Sequence, residues 1–433
     1  MKYLTAALIS LQATCLTAGP LPDPQAEFRT ASEAEIELGQ LLFFDPILSG
    51  NRNMACASCH HPRFGTSDGM SLGIGEGAVG IGPDLKLDPD NRPEQRIPRN
   101  SPALWNLGAV EFTSLFHDGR LQEDAGRPSG LRTPLGEDMA SGFNSALAAQ
   151  AMFPVLSGDE MAGHYSENEV SRAVRQGLLT GPDGAWALLA ARVDAIPAYR
   201  AAFDPIIGAR PIAFTDIGNV IADFIAFEFR ADQSPFDLYL RGEGELPENA
   251  LRGMELFYGE AGCSACHSGL FQTDQGFHAI AMPQIGPGKA ASFETHNRDH
   301  GRMRVTGDPV DAYRFRTPSL RNLSVTGPYG HTGSFATIEA TVRHHLDPVE
   351  SLRTYDPGQA ILPDLPGSPD FVLMSKPDQV EDIAAANELD LPELDDTQVA
   401  DILAFLATLT DAASLKGRLG IPDVVPSGLK VPR

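Results

Sequence analysis

Two short stretches of the chain repeat one another: "CASCHHP" at residues 56–62 and "CSACHSG" at residues 263–269. Two cysteines three positions apart lie close together on a single helical turn, so both sulfurs can reach one partner, and the histidine that follows is held beneath it. That pattern suits a haem. Cys56 and Cys59, and again Cys263 and Cys266, would bond its two vinyl groups, while His60 and His267 would offer imidazoles to the iron. The competing chemistries are a zinc site or disulfides. Zinc does not require a histidine directly after each pair, and an exported chain favours covalent haem. His61, next in line, reads as a neutral surface residue or a propionate contact.

What each haem can do depends on its other face. In "FATIEATVRHHLDP", Phe335, Ile338, Val342 and His345 share a narrow arc of a helical wheel, and His344 points to the opposite side. His345 is therefore predicted as the distal ligand of the second iron, with Met282 as its rival. Aligning the first half by its own echo sets "NSALAAQAMFP" against "SFATIEATVRHH" and puts Phe153 and Pro154 opposite His344 and His345. Neither can bind iron, although Met152 lies one or two positions away. The expected pair is thus unequal: a six-coordinate electron-transfer haem in the second unit and an open haem, reactive toward peroxide, in the first.

Trp105 stands where the echo has Arg321; it is either a core residue or an indole between haems that passes an oxidising equivalent. His117 corresponds to His331, and both read as structural or propionate-contacting residues. His117 is also a candidate for the wall of the peroxide pocket.

The elements that must position these groups are mostly helical. "SEAEIELGQLLFF" opens on a serine cap before a 3.6-residue periodicity, and "DIGNVIADFIAFEF", "ENALRGMELF" and "DTQVADILAFLATL" read similarly. Stretches rich in Gly and Pro, 69–102 and 356–378, read as loops. The echoes extend beyond the cysteines: a Leu-Phe pair precedes each motif, and "NSPALWNLGAVEFTSLFHDG" resembles "RTPSLRNLSVTGPYGHTG". The fold class expected is mainly α, with two cytochrome-c-like haem domains related by internal duplication. The boundaries read as a signal peptide at 1–18, domains at 19–241 and 242–410, and a tail at 411–433.

The leader "MKYLTAALISLQATCLTAGP" has one early lysine, an apolar stretch too short for a bilayer, then small residues, with cleavage expected near Ala18. Export to a bacterial periplasm follows as an expectation. A formal net charge of -24 over 433 residues argues against nucleic acid and anionic lipid as partners, and is compatible with a basic protein partner.

Taken in order, "CASCHHP", "RNSPALWN", "FHDGR", "CSACHSG", "FRTPSLRN" and "TGPYGHTGSFATIE" resemble the bacterial di-haem cytochrome c peroxidase and MauG superfamily. The resemblance implies a peroxidatic first haem, an electron-transferring second haem, a calcium ion between them and a tryptophan on the route. By that resemblance Trp105 is the tryptophan, and Thr326 and Pro328 give backbone carbonyls to calcium, with Asn91 as a side-chain ligand. Two departures stand out. Glu76 in "GIGEG" occupies the place of a histidine that blocks the first haem in ordinary peroxidases, and Ala148 and Ala149 in "LAAQ" replace an acid-base glutamate. The substitute is open among Glu76, Glu123, Asp138 and Glu160.

The resemblance leans toward the MauG and MbnH branch, whose members use peroxide to oxidise aromatic residues of a partner protein. The expected activity is therefore peroxide-dependent oxidation of a protein side chain through a high-valent haem pair. The alternatives are a cytochrome c peroxidase fed by a small redox protein, and a di-haem electron carrier without catalysis.

Overall fold

The computed structural model describes residues 20–289 and 296–433; the expected leader, 1–18, lies outside the described residues. Helices dominate, and the strands are pieces of two or three residues, such as Ser114–Leu115, Leu121–Glu123 and Leu131–Arg132 in one small antiparallel sheet. The first long helix, Glu33–Phe44, begins at a reciprocal cap: Glu35 N–H donates to Ser32 Oγ at 3.3 Å, and Ser32 N–H to Glu35 Oε2 at 2.8 Å. It buries Leu38, Leu42, Phe43 and Phe44 against the helix Phe214–Glu228, whose Phe224 meets Phe43 at 5.2 Å between ring centres.

The crossing of these helices is pinned by one residue. A Cβ on Gly39 would sit 1.8 Å from the Val220 carbonyl oxygen, so only glycine permits the approach. In the second half, the helix Glu248–Tyr258 crosses the helix Asp396–Ala407, and a Cβ on Gly253 would sit 1.8 Å from the Asp401 carbonyl oxygen. In both helices an aromatic pair follows the glycine, at Phe43-Phe44 and at Phe257-Tyr258, and both pairs are buried.

Two larger hydrophobic cores result. One gathers residues from Leu38 to Ala231 together with Leu270 and Phe271; the other is built on Phe236, Phe257, Tyr258, Ile402 and Phe405. The handover falls between Ala231 and Phe236, ahead of the Gly- and Glu-rich stretch at 240–249, because Phe236 packs edge-on to Phe405 at 5.1 Å. The chain after the last long helix returns to the first core, where Val425 and Val431 are buried. Asp45 fastens it there by accepting from Ser427 Oγ at 2.6 Å and from the Tyr199 hydroxyl at 2.6 Å.

The stretch 69–102 is irregular apart from a short hairpin at Ala78–Val79 and Lys86–Leu87, yet much of it is buried. Arg96 ties it to the second half through a bidentate pair with Asp370, at 2.7 and 3.0 Å. Arg99 does the same through Asp299 at 2.6 Å and Asp118 at 2.7 Å, all three side chains being buried.

Candidate haem sites

In the first half, Cys56–Cys59 forms one helical turn that ends on His60. The Nδ1 of His60 lies 3.0 Å from the Thr66 carbonyl oxygen and 3.3 Å from Ser101 Oγ, so that nitrogen is committed to the backbone and Nε2 is left for a metal. Both cysteines and His60 line a cavity of about 1150 Å³, partly open to solvent. Burial pushes the Cys56 thiol up to about 12 and lowers the His60 imidazole, so both are neutral near pH 7.

The rest of the lining is apolar, from Phe43, Leu104, Leu147 and Ile225, with a polar minority of Asp68, Gln150 and Glu160. Three cations also face it: Arg99, Arg120 and Lys289. Burial, and then the charges of Arg120 and Arg99, bring the Lys289 ammonium down to about 8. The cavity is therefore short of negative charge, which is the demand that the two carboxylates of a porphyrin would meet. Thiols, a tautomer-fixed imidazole, apolar walls and a cationic corner fit a haem.

In the second half, the turn Cys263–Ala265 leads to His267, whose Nδ1 lies 3.0 Å from the Gln272 carbonyl oxygen. His345, in the helix Ile338–Leu346, has its Nδ1 2.7 Å from the Thr341 carbonyl oxygen. Both Nε2 atoms are again left over, and the two ring centres lie 6.4 Å apart, the rings tilted by 54°. Two imidazoles on one metal, each nitrogen about 2 Å from it and each ring centre about 1 Å farther, stand roughly 6 Å apart. Burial, and then His345, hold His267 down to about 4, and burial lowers His345, so both are neutral as ligation requires.

Its neighbour His344 is spent otherwise, with Nε2 2.9 Å from the Ile280 carbonyl oxygen and Nδ1 3.0 Å from Ser351 Oγ. Phe335 lies over His344 at 4.9 Å, not on the His345 side as the helical wheel implied; it precedes the first helical residue, Ile338, so the wheel does not extend to it. Met282 is buried with its sulfur against Gly330. Cys266, Asp274 and His278 also converge, with candidate ligand atoms within 4.8 Å of one another, but that sulfur belongs to the haem-attachment pair.

In the first half, Pro154 lines the cavity and Met152 does not: Met152 is fully buried beside Gly218, its carbonyl accepting from Trp186 Nε1 at 3.0 Å. Trp105 is likewise a core residue, edge-on to Phe229 at 5.7 Å, with its indole N–H unpartnered. Its neighbour Leu104 reaches the lining and the indole does not. His117 is a further link between the two halves, beside Arg96 and Arg99. It lines the cavity, its ring Nε2 is 3.0 Å from the Asn100 carbonyl oxygen, and its own carbonyl accepts from Arg316 N at 2.7 Å. Asn100 N–H in turn donates to the carbonyl of His331, whose ring stacks on Phe315 at 3.7 Å.

Of the four acid-base candidates, Glu160 alone lines the cavity. It sits in the wide turn Gly158–Ala162, and burial raises its carboxyl above the usual range despite Lys289 and Arg120. Glu76 is buried elsewhere under three carboxamides, Glu123 pairs with Arg29 at 2.8 Å, and Asp138 is exposed. Sequence reasoning passed over Asp68, a fully buried wall residue that burial brings up to about 7, and Gln150, whose side-chain oxygen is buried without a partner. Asn91 Nδ2 donates to Glu76 at 2.7 Å and its Oδ1 lies 2.9 Å from His164 Nδ1, whereas the Thr326 hydroxyl donates to Leu323 O at 3.3 Å within its own turn.

A mostly helical chain that presents two cysteine pairs, each with a tautomer-fixed histidine, is a scaffold for two c-type haems. Comparison with known proteins agrees: residues 33–245 match the family described as di-haem cytochrome c peroxidase. The chain is 30% identical to the methylamine utilization protein MauG of Methylorubrum extorquens, over 78% of this chain and 75% of that protein. It is 29% identical to the cytochrome c551 peroxidase of Pseudomonas aeruginosa, over 75% of each. Among solved structures, a MauG-like protein associated with microbial copper homeostasis superposes with a TM-score of 0.58 at 26% identity, covering 94% of this chain and 97% of that one. The chain belongs to the di-haem cytochrome c peroxidase family; it is a haem oxidoreductase of the peroxidase kind. No described helix is long and apolar enough to cross a membrane.

Proposed function

We propose that the protein uses hydrogen peroxide to oxidise an aromatic side chain of a partner protein, in the periplasm to which its leader-like first 18 residues would send it. One contrast carries this reading. The His345 ring centre lies 6.4 Å from that of His267, whereas Pro154, the counterpart of His345 by the internal echo, lines the first cavity with no atom able to bind iron. Cys56, Cys59 and His60 would hold the open haem, and Cys263, Cys266, His267 and His345 the closed one. When bound, the haem pair supplies peroxide cleavage and a store for two oxidising equivalents.

The chain's own residues manage protons and access. The raised carboxyl of Glu160 is suited to accept a proton from entering peroxide and return it to the departing oxygen. Gln150 Oε1, buried and unpartnered, offers an acceptor in the same lining. In the net reaction the O–O bond breaks, two electrons leave the partner's side chain, and two protons complete two waters. His117 and Asn100, bonded to one another and to the second half, would carry a polar path from the first cavity toward the second site, with Trp105 acting from the core.

Electron paramagnetic resonance of the oxidised protein tests the premise by counting spin states. One high-spin and one low-spin iron are expected, and two irons of the same kind would sink the reading. Steady peroxide turnover with a reduced small cytochrome would instead mark a cytochrome c peroxidase.

A further inference from the structure

Glu76 lies outside both haem sites and is fully buried. Its Oε1 accepts from three carboxamides, Asn51 at 2.9 Å, Asn53 at 2.7 Å and Asn91 at 2.7 Å, while its Oε2 is buried with no partner. A second carboxylate stands beside it: the same Asn51 Nδ2 also donates to Glu167 Oε1 at 2.5 Å, so the two acids straddle one nitrogen. Glu167 also accepts from the His164 backbone N–H at 2.6 Å, and the ring Nε2 of His164 is buried and unpartnered. Among the described residues no Lys or Arg forms an ion pair with either acid. Two close carboxylates, one of them buried, with amides but no cation, leave negative charge that a protein does not ordinarily bury.

We propose that Glu76, Glu167, Asn53 and Asn91 form a binding site for a hard divalent cation of the calcium class. The donors are all oxygens, as such an ion prefers. A half-turn of a carboxamide exchanges its nitrogen and oxygen, so Asn53 and Asn91, whose nitrogens donate to Glu76, can turn their oxygens to an ion. For Asn91 the exchange is permitted by His164, whose Nδ1 would accept instead of donate once its proton moves to Nε2. Asn51 keeps its orientation, because its Oδ1 accepts from Asn168 Nδ2 at 3.0 Å. The site has an entrance: Asn53 and Glu167 are exposed while Glu76 forms the floor.

The consequence reaches the first haem cavity. Glu76 N–H donates to the Asp159 carbonyl at 2.8 Å, and Gly50 N–H to the Met161 carbonyl at 2.7 Å, so the site's walls grip the turn Gly158–Ala162 that carries Glu160. An ion bound there braces that turn. The test uses the full-length haem-loaded protein, treated with a chelator, with calcium then restored. Wild type is expected to regain calcium and to melt about 3 °C or more higher in millimolar calcium than in chelator. Glu76→Gln should bind one calcium fewer per chain. Asn53→Asp, which adds a carboxylate, should need roughly tenfold less calcium for its thermal shift and be destabilised only when calcium is removed. Should Glu76→Gln fail to fold, Asn53→Asp decides alone, since in a purely hydrogen-bonded network it would be destabilised equally with and without calcium. That result, or calcium binding unchanged in both variants, overturns the proposal.

Discussion

The two halves solve the same problem with the same parts up to one position. Each crosses two helices at a glycine, buries an aromatic pair beside the crossing, and commits the Nδ1 of its motif histidine to a backbone carbonyl at 3.0 Å. They part in what surrounds the motif histidine: in the second half the His345 ring centre lies 6.4 Å from that of His267, whereas Pro154 is part of the lining of the first cavity. Reactivity in such a pair is set by what the wall lacks. The first cavity also holds a cationic corner and two carboxyls that burial keeps above the usual range, Asp68 and Glu160.

The largest expected effect comes from erasing that difference. His345→Ala should abolish the low-spin ferric signal and leave two high-spin irons, while Met282→Leu should leave the spectrum unchanged. A low-spin signal that survives His345→Ala and vanishes in Met282→Leu would transfer the ligand role to the methionine.

Next in size is the acid-base group proposed for the first site. Glu160→Gln should slow the reaction with peroxide by about 100-fold or more. A base must be ionised to accept a proton, and burial raises Glu160, so the wild-type rate should climb with pH through a value above the ordinary carboxylate range and then flatten. That step should disappear in Glu160→Gln. If a step near pH 7 persists there and is lost in Asp68→Asn instead, the group is Asp68, which burial brings up to about 7.

How much of this was legible beforehand differs by the kind of signal. The haem attachments are local in sequence, five adjacent residues each, and the side on which His345 lies follows from helical periodicity. Phe335 was misplaced because periodicity cannot say that the helix starts only at Ile338. Gly39 and Gly253 are conspicuous only once a partner carbonyl is known to lie 1.8 Å from the missing Cβ. For Trp105 the sequence left a core place and a place between haems both open, and only the fold shows the indole packed edge-on to Phe229. Lys289, Asp68 and Glu160 come from three separate stretches without periodic pattern, and only folding brings them to one cavity.

Between the two sites the comparison depends on a buried charge network. Burial alone would raise Asp299, but the Arg99 guanidinium beside it outweighs that and holds its carboxyl well below the usual range. A folded-state pKa below the unfolded one means stabilisation that is complete above about pH 3.9 and lost as pH falls from there toward the folded value. Asp299→Asn leaves Arg99 with Asp118 alone and should cost about 3–5 kcal/mol at neutral pH, read by chemical denaturation. The deficit should shrink in acid, where wild type loses the same contribution; a deficit independent of pH would show that packing, not charge, is responsible.

The smallest effect probes the shared scaffold. Gly39→Ala and Gly253→Ala each add one methyl group where a carbonyl oxygen already stands 1.8 Å away, so the helices must separate, at a cost of about 1–3 kcal/mol. The readouts should separate by half. The Gly39 helix carries Phe43, which lines the first cavity, so Gly39→Ala should perturb the high-spin signal and leave the low-spin signal intact. The Gly253 helix carries Phe257, whose ring centre is 6.4 Å from that of His267, so Gly253→Ala should do the reverse. If either variant disturbs both irons equally, the two cores are not independent supports. The contrast between sites would then belong to one cooperative structure, with the tail that returns to Asp45 as the obvious strut.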